Sequence, residues 1–224
     1  MIGCIFIAFL MIYTGVYYTA YNLNYGYPYF SYTLAGALLV FLIGMPLLTM
    51  RSFAEERKNK TDQLLLTSPV SIFRVVMGKY LAMVSILAVP IVIFILYPLI
   101  IKMNGTAYLK VDYVSLFMFF LLGCVFIAIG MFMSTLTESQ IIAYIVTFGV
   151  LLAIYLWEGL LDFLPTAISN SSVGTVLAKF DLAQYMTNIY QNNLLEIDGP
   201  ILYLSLIVIF VLLTIQSIQK RRWS

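Results

Sequence analysis

"ILAVPIVIFILYPLII" occupies residues 86–101 and carries no charge. A β-strand with one wet face would alternate apolar and polar residues, and a membrane β-barrel repeats such segments of about ten residues. This run does not alternate. Its apolar character extends back to about residue 80, which gives the roughly 20 residues that a helix needs to cross the hydrocarbon core. Outward from 80–101, five further runs meet the same test, at about 2–20, 32–50, 113–134, 141–157 and 200–218. The whole chain is 62% hydrophobic and only 10% charged, where a soluble domain carries about 25% charged residues. The expected fold is therefore an all-α membrane protein: six transmembrane helices in a single domain over residues 1–224, with the lipid bilayer as its solvent.

Several kinds of chemistry find no support in the residues. The chain has no histidine, which removes the commonest acid–base group and metal ligand. It has neither an HExxH zinc motif nor a phosphate loop, since Gly78-Lys79 is followed by Tyr80 and no glycine stands five residues earlier. No catalytic residue, cofactor or metal site is expected, and no nucleotide hydrolysis by the chain itself. An intramembrane enzyme lacks a nucleophile–base pair. Cys4 and Cys124 both fall within expected spans, so no disulfide framework is expected. Asn104 and Asn170 head sequons short enough to arise by chance. Met1-Ile2-Gly3 offers no positive region before the apolar run, so no cleavable signal peptide is expected.

The span centres hold no ionisable group, whereas ion-coupled transporters keep such groups near the midplane. Glu138, Glu158 and Asp162 lie only at span ends. Uphill movement of any cargo would then draw its energy from a partner. Basic residues are strongly biased to one side. With six spans, Arg51, Arg57, Lys58, Lys60, Arg74, Lys79, Lys220, Arg221 and Arg222 share one face, against Lys102, Lys110 and Lys179 on the other. The positive-inside rule places the first face, with both termini, in the cytoplasm of a cell-membrane protein. The net charge of +2 reflects that bias and does not point to nucleic acid. The opposite face carries the tyrosine-rich turn "YNLNYGYPYFSY" (21–32) and the longer segment 158–199. Those tyrosines read either as an interfacial aromatic belt or as a stacking surface for an exported amphiphile.

The cytoplasmic loop 51–79, "RSFAEERKNKTDQLLLTSPVSIFRVVMGK", gathers nine charges and an apolar core. Arg51–Lys60 reads as a helix continuing from span two, with Arg51–Glu55 and Glu56–Lys60 as i,i+4 pairs. Thr61 can cap a new short helix carrying Leu64, Leu65 and Leu66, which Pro69 stops. Ser68 and Pro69 then start the helix that leads into span three. Such a segment either rests on lipid headgroups or docks onto a protein.

The same loop resembles the hallmark segment of type-2 ABC transporter permeases (ABC-2): Ala-Glu-Glu-Arg, a threonine, a Leu-Leu-Leu-Thr-x-Pro-Val block, then Gly-Lys. "GMPLLTMRSFAEER" (44–57), "IAIGMFMSTLTESQIIA" (127–143) and "LYLSLIVIFVLLTIQSIQKRRW" (202–223) resemble the gliding-motility-associated, GldF-like branch of that family. The resemblance implies a permease subunit, an exporter, working with a separate ABC ATPase and a second permease copy as a homodimer or heterodimer. It also implies an auxiliary membrane-anchored subunit with an extracytoplasmic domain. By the same resemblance Thr61–Ser68, with Leu64, Leu65, Leu66 and Thr67, forms the coupling helix that sits in the ATPase. Pro69 and Lys79 complete the motif, and Glu55, Glu56 and Arg57 brace the end of span two. Such permeases usually begin with a basic amphipathic helix along the inner membrane face. This chain opens directly into its first apolar run, so a start assigned too late or a shortened chain is expected. The competing expectation is a non-transporting anchor that recruits an ATPase for mechanical or regulatory work.

Overall fold

The computed structural model describes residues 2–61, 71–162, 181–192 and 197–222. Expectations for residues 62–70, among them Leu64, Leu65, Leu66, Thr67, Ser68 and Pro69, lie outside the described residues, as does most of segment 158–199. The side chains of Glu158 and Asp162 lie outside them too. The described residues form helices α1 (Ile2–Tyr17), α2 (Phe30–Thr49), α3 (Ala54–Lys58), α4 (Ile72–Phe94), α5 (Leu96–Asn104) and α6 (Leu109–Leu136). After these come α7 (Gln140–Tyr155), α8 (Trp157–Asp162), α9 (Leu182–Asn192) and α10 (Asp198–Arg222), while a π-helical turn, Tyr18–Asn24, extends α1.

Five of the helical stretches are long and apolar enough to cross a membrane: Ile2–Asn24, Phe30–Lys58, Ile72–Asn104, Leu109–Leu136 and Asp198–Lys220. The chain is an integral membrane protein. The remaining expected span, at 141–157, corresponds to α7, whose 16 residues cover about 24 Å at 1.5 Å per residue, short of the ~30 Å core. The helix that leads into the span expected at 80–101 is described from Ile72, so that Arg74 and Lys79 lie on its first turns, ahead of the apolar run, as expected. It breaks between Phe94 and Leu96. Pro98 is the cause, since it has no N–H to offer the Phe94 carbonyl four residues back.

Helices α2 and α6 form the centre. Of their apolar stretches 67% and 78% are buried, against 22% for α1 and 28% for α4 and α10. Lipid tails are as apolar as leucine, so close packing and small residues hold such a pair together rather than expulsion of water. Gly123 of α6 faces Phe41 and Met45 of α2, and Gly130 faces Thr49. The Phe41 and Phe119 rings lie 4.2 Å apart between them. The two helices run parallel in register: Phe30 meets Asp112 and Phe53 meets Ser134.

The tyrosine end is held by side chains that replace missing backbone partners. Asn22 donates through Nδ2 to the carbonyls of Tyr27 (2.9 Å) and Tyr29 (3.1 Å) and accepts from the Thr33 hydroxyl at 2.7 Å. That buried amide closes the turn behind the π-helical stretch. Around it Tyr13 stacks on Tyr17, Tyr27 on Tyr32, Tyr29 on Tyr108 and Tyr18 on Tyr97, with centroids 4.6, 5.4, 4.7 and 4.5 Å apart.

Asp112, fully buried in the first turns of α6, accepts from the backbone N–H of Phe30 (2.8 Å) and of Ser31 (3.2 Å) through one carboxylate oxygen. A helix start leaves its first amides unpaired, and here the cap of α2 comes from another helix. Asp112→Ala strands two buried donors and is expected to lower stability by about 2 kcal/mol. Asp112→Asn, which keeps an acceptor, should lose about half as much. Thermal midpoints in detergent measure both, and equal midpoints for wild type and Asp112→Ala would refute the capping role.

At the same end α9 inserts an amphipathic face, with Leu182, Tyr185, Met186 and Ile189 buried at helical spacing. Its N-terminus is capped by Asp181, which accepts from Ala183 N (2.9 Å) and Gln184 N (3.1 Å). Burial pushes the Asp181 carboxyl above its ordinary range, and these two amides pull it part of the way back. Tyr203 of α10 donates to the Leu182 carbonyl at 2.5 Å.

Candidate functional site

The charged loop enters and leaves the bundle at the opposite end. Continuous helix is expected from Arg51 to Lys60, but α2 stops at Thr49 and helix resumes only at Ala54. An interruption here exposes the amides of Phe53 and Ala54, which have no intrahelical acceptor. The Ser134 hydroxyl of α6 accepts both at 3.1 Å and donates to the Met50 carbonyl at 3.2 Å. The break is stable because its polar groups are satisfied from across the bundle.

The ion pairs differ from the expected ones for the same reason. Glu56 pairs with Lys79 at 2.6 Å rather than with Lys60. Helix α3 ends at Lys58, and Lys60 takes a left-handed backbone with φ of 55°. Among the described residues Arg51 and Glu55 form no ion pair. Lys79 also donates to the Ser52 carbonyl at 2.6 Å and lies over the Phe53 ring, 4.1 Å from its centroid. A cation on an aromatic face gains about 0.5–1 kcal/mol at exposed sites and more when desolvated. Arg57 donates to the Thr135 carbonyl at 3.1 Å and pairs with Glu138 at 2.9 Å. Glu138 is 72% exposed, so that pair by itself contributes little.

The structure thus brings together five of the expected residues. Glu55, Glu56 and Arg57 lie on α3, and Lys79 reaches it from α4. Thr61 closes the far end of α3: its N–H and its hydroxyl both donate to the Glu56 carbonyl, at 2.9 and 3.2 Å. The helix that Thr61 is expected to start lies in 62–70, outside the described residues.

Ser134, Thr135, Ser217 and Phe53 were not legible as site residues. Thr135 Oγ1 lies 3.1 Å from Ser217 Oγ, which ties α6 to α10. The available signal was "MSTLTES" at 133–139, a hydroxyl-rich run closing an apolar span. Hydroxyls at membrane depth need partners, and such a run marks where another backbone arrives. Among the described residues no group of metal-ligating side chains occurs, and the contacts join helices to one another. They fasten one short helix to α4 and α6 directly, and to α10 through α6.

A family model described as "ABC-2 family transporter protein" matches residues 2–215. No curated protein and no solved structure matches the chain.

Proposed function

The chain belongs to the ABC-2 family of transporter proteins, and from that premise we propose that it is the permease subunit of an ATP-driven exporter, with the charged loop in the cytoplasm. A separate ATPase subunit binds residues 61–68, and α3 passes its motion to the spans. Two permease copies and two ATPases form the working unit. The likeness of 44–57, 127–143 and 202–223 to the GldF-like branch supports an auxiliary subunit with an extracytoplasmic domain. The observation that carries the reading is the clasp on α3: Glu56 to Lys79, Arg57 to Glu138, and Phe53 and Ala54 to Ser134. A loop that only rested on lipid would gain nothing from being fastened to two spans.

The test uses the chain reconstituted with an ABC ATPase subunit that co-purifies with it. Lys79→Glu sets two carboxylates together and is expected to lower stimulated ATP hydrolysis about tenfold, equivalent to ~1.4 kcal/mol of lost coupling. The double exchange Glu56→Lys/Lys79→Glu restores the pair and should recover most of it. Undiminished stimulation in Lys79→Glu would remove the clasp from the coupling path. ATPase recruitment without cargo movement would favour the anchor.

A further inference from the structure

We propose that Ser134 is the positioning residue that fixes the direction in which α3 delivers the chain to residues 62–70; this rests on the permease reading above. Helix α3 has no cap of its own: the residue before it, Phe53, provides no side-chain cap bond. Its first turn is instead capped by a hydroxyl about 80 residues away in sequence, with two amides donating to Ser134 Oγ at 3.1 Å each. The same hydroxyl donates its proton to the Met50 carbonyl at 3.2 Å. One fully buried atom group therefore holds both the end of α2 and the start of α3, and sets the angle between them.

The neighbouring contacts show why direction, and not mere attachment, is at stake. The Glu56–Lys79 and Arg57–Glu138 pairs use long side chains that follow α3 if it swings. Ser134 has a single rotatable side-chain bond and three simultaneous partners, so it tolerates almost no swing. Its neighbour Thr135 presents its carbonyl to Arg57 and its hydroxyl to Ser217 of α10. A turn of α3 about its capped end would thus be felt at once by α6, and through Thr135 by α10.

Two variants separate positioning from bulk stability. Ser134→Ala removes the acceptor, and Ser134→Cys keeps the side-chain shape with a somewhat larger atom that accepts only weakly. Hydrogen exchange is read on the full chain in nanodiscs without any ATPase, and stimulated hydrolysis on the complex. Exchange at the Phe53 and Ala54 amides should rise at least about tenfold in Ser134→Ala and less in Ser134→Cys, with span amides unchanged. ATPase affinity should stay within about twofold, while maximal stimulated turnover falls about tenfold, and Ser134→Thr, which retains the hydroxyl, should recover turnover. Wild-type exchange in both variants overturns the cap. Faster exchange with undiminished turnover overturns the positioning role, as does a loss of affinity and turnover in step with thermal stability. Should Ser134→Ala fail to accumulate, Ser134→Cys decides by the same criteria. Wild type that recruits no ATPase removes the permease reading and with it the positioning role, and the exchange data then still decide the cap.

Discussion

Gly130→Leu is expected to leave almost no monodisperse protein in detergent. A Cβ built on Gly130 would lie 2.9 Å from Thr49 Cβ and 3.1 Å from Thr49 Cγ2, and closer still to Thr49 Oγ1. The obstacle is not the far end of a flexible side chain. Thr49 is β-branched, buried, and fixed by its own hydroxyl bond to the Met45 carbonyl at 2.9 Å. Leucine could enter only if α2 and α6 moved apart, which would undo the packing at Gly123 as well. Overpacking costs about 1–3 kcal/mol and sometimes more, and this site belongs at or above the upper end. Gly130→Ala should be milder, and Thr49→Ala combined with it should recover more than additivity allows. Size-exclusion yield and thermal midpoint report the outcome. A Gly130→Leu protein with wild-type yield and midpoint would mean that α2 and α6 do not meet as described.

Leu65→Asp addresses the proposed coupling segment directly. A leucine seated in a protein groove contributes about 1.5–3 kcal/mol, and a carboxylate in its place adds a desolvation cost. Affinity for the ATPase should therefore fall at least about a hundredfold, or ~2.7 kcal/mol, while the isolated permease keeps its thermal midpoint. Were residues 61–68 only resting on headgroups, the same substitution would loosen the segment from lipid and leave the ATPase bound. Titration of labelled ATPase against wild-type and Leu65→Asp permease in nanodiscs separates the two. Retained affinity would take the segment out of the interface.

The positions of the apolar helices were plain in the sequence because a bilayer demands length and apolarity over a whole segment, and runs such as 86–101 satisfy nothing else. Their ends were less plain. Residues 51–53 lack glycine and proline, so local rules extended the helix through them, but the structure breaks it there. What breaks it is a hydroxyl supplied from position 134, and no local rule can see a partner 80 residues away. The same holds at the other end, where Asp112 lies just outside the expected span 113–134 and no local rule marks it. It is fully buried, and caps α2. Glu56, Arg57 and Lys79 were all expected in the loop motif, while the pairing of Glu56 with Lys79 and of Arg57 with Glu138 came from non-local geometry.

The parallel pair α2–α6 is pinned twice, by Asp112 on Phe30 and Ser31 and by Ser134 on Phe53 and Ala54. The two pins stand 22 residues apart on α6, about 33 Å at 1.5 Å per residue. A rod riveted to its neighbour near both ends cannot slide along it like a piston, and cannot spin about its own axis without shearing a rivet. Leaning together as a single beam is a motion that leaves both rivets intact. An opening beside the pair that spares both rivets would come from that lean, or from the less enclosed helices α1, α4 and α10 yielding around it.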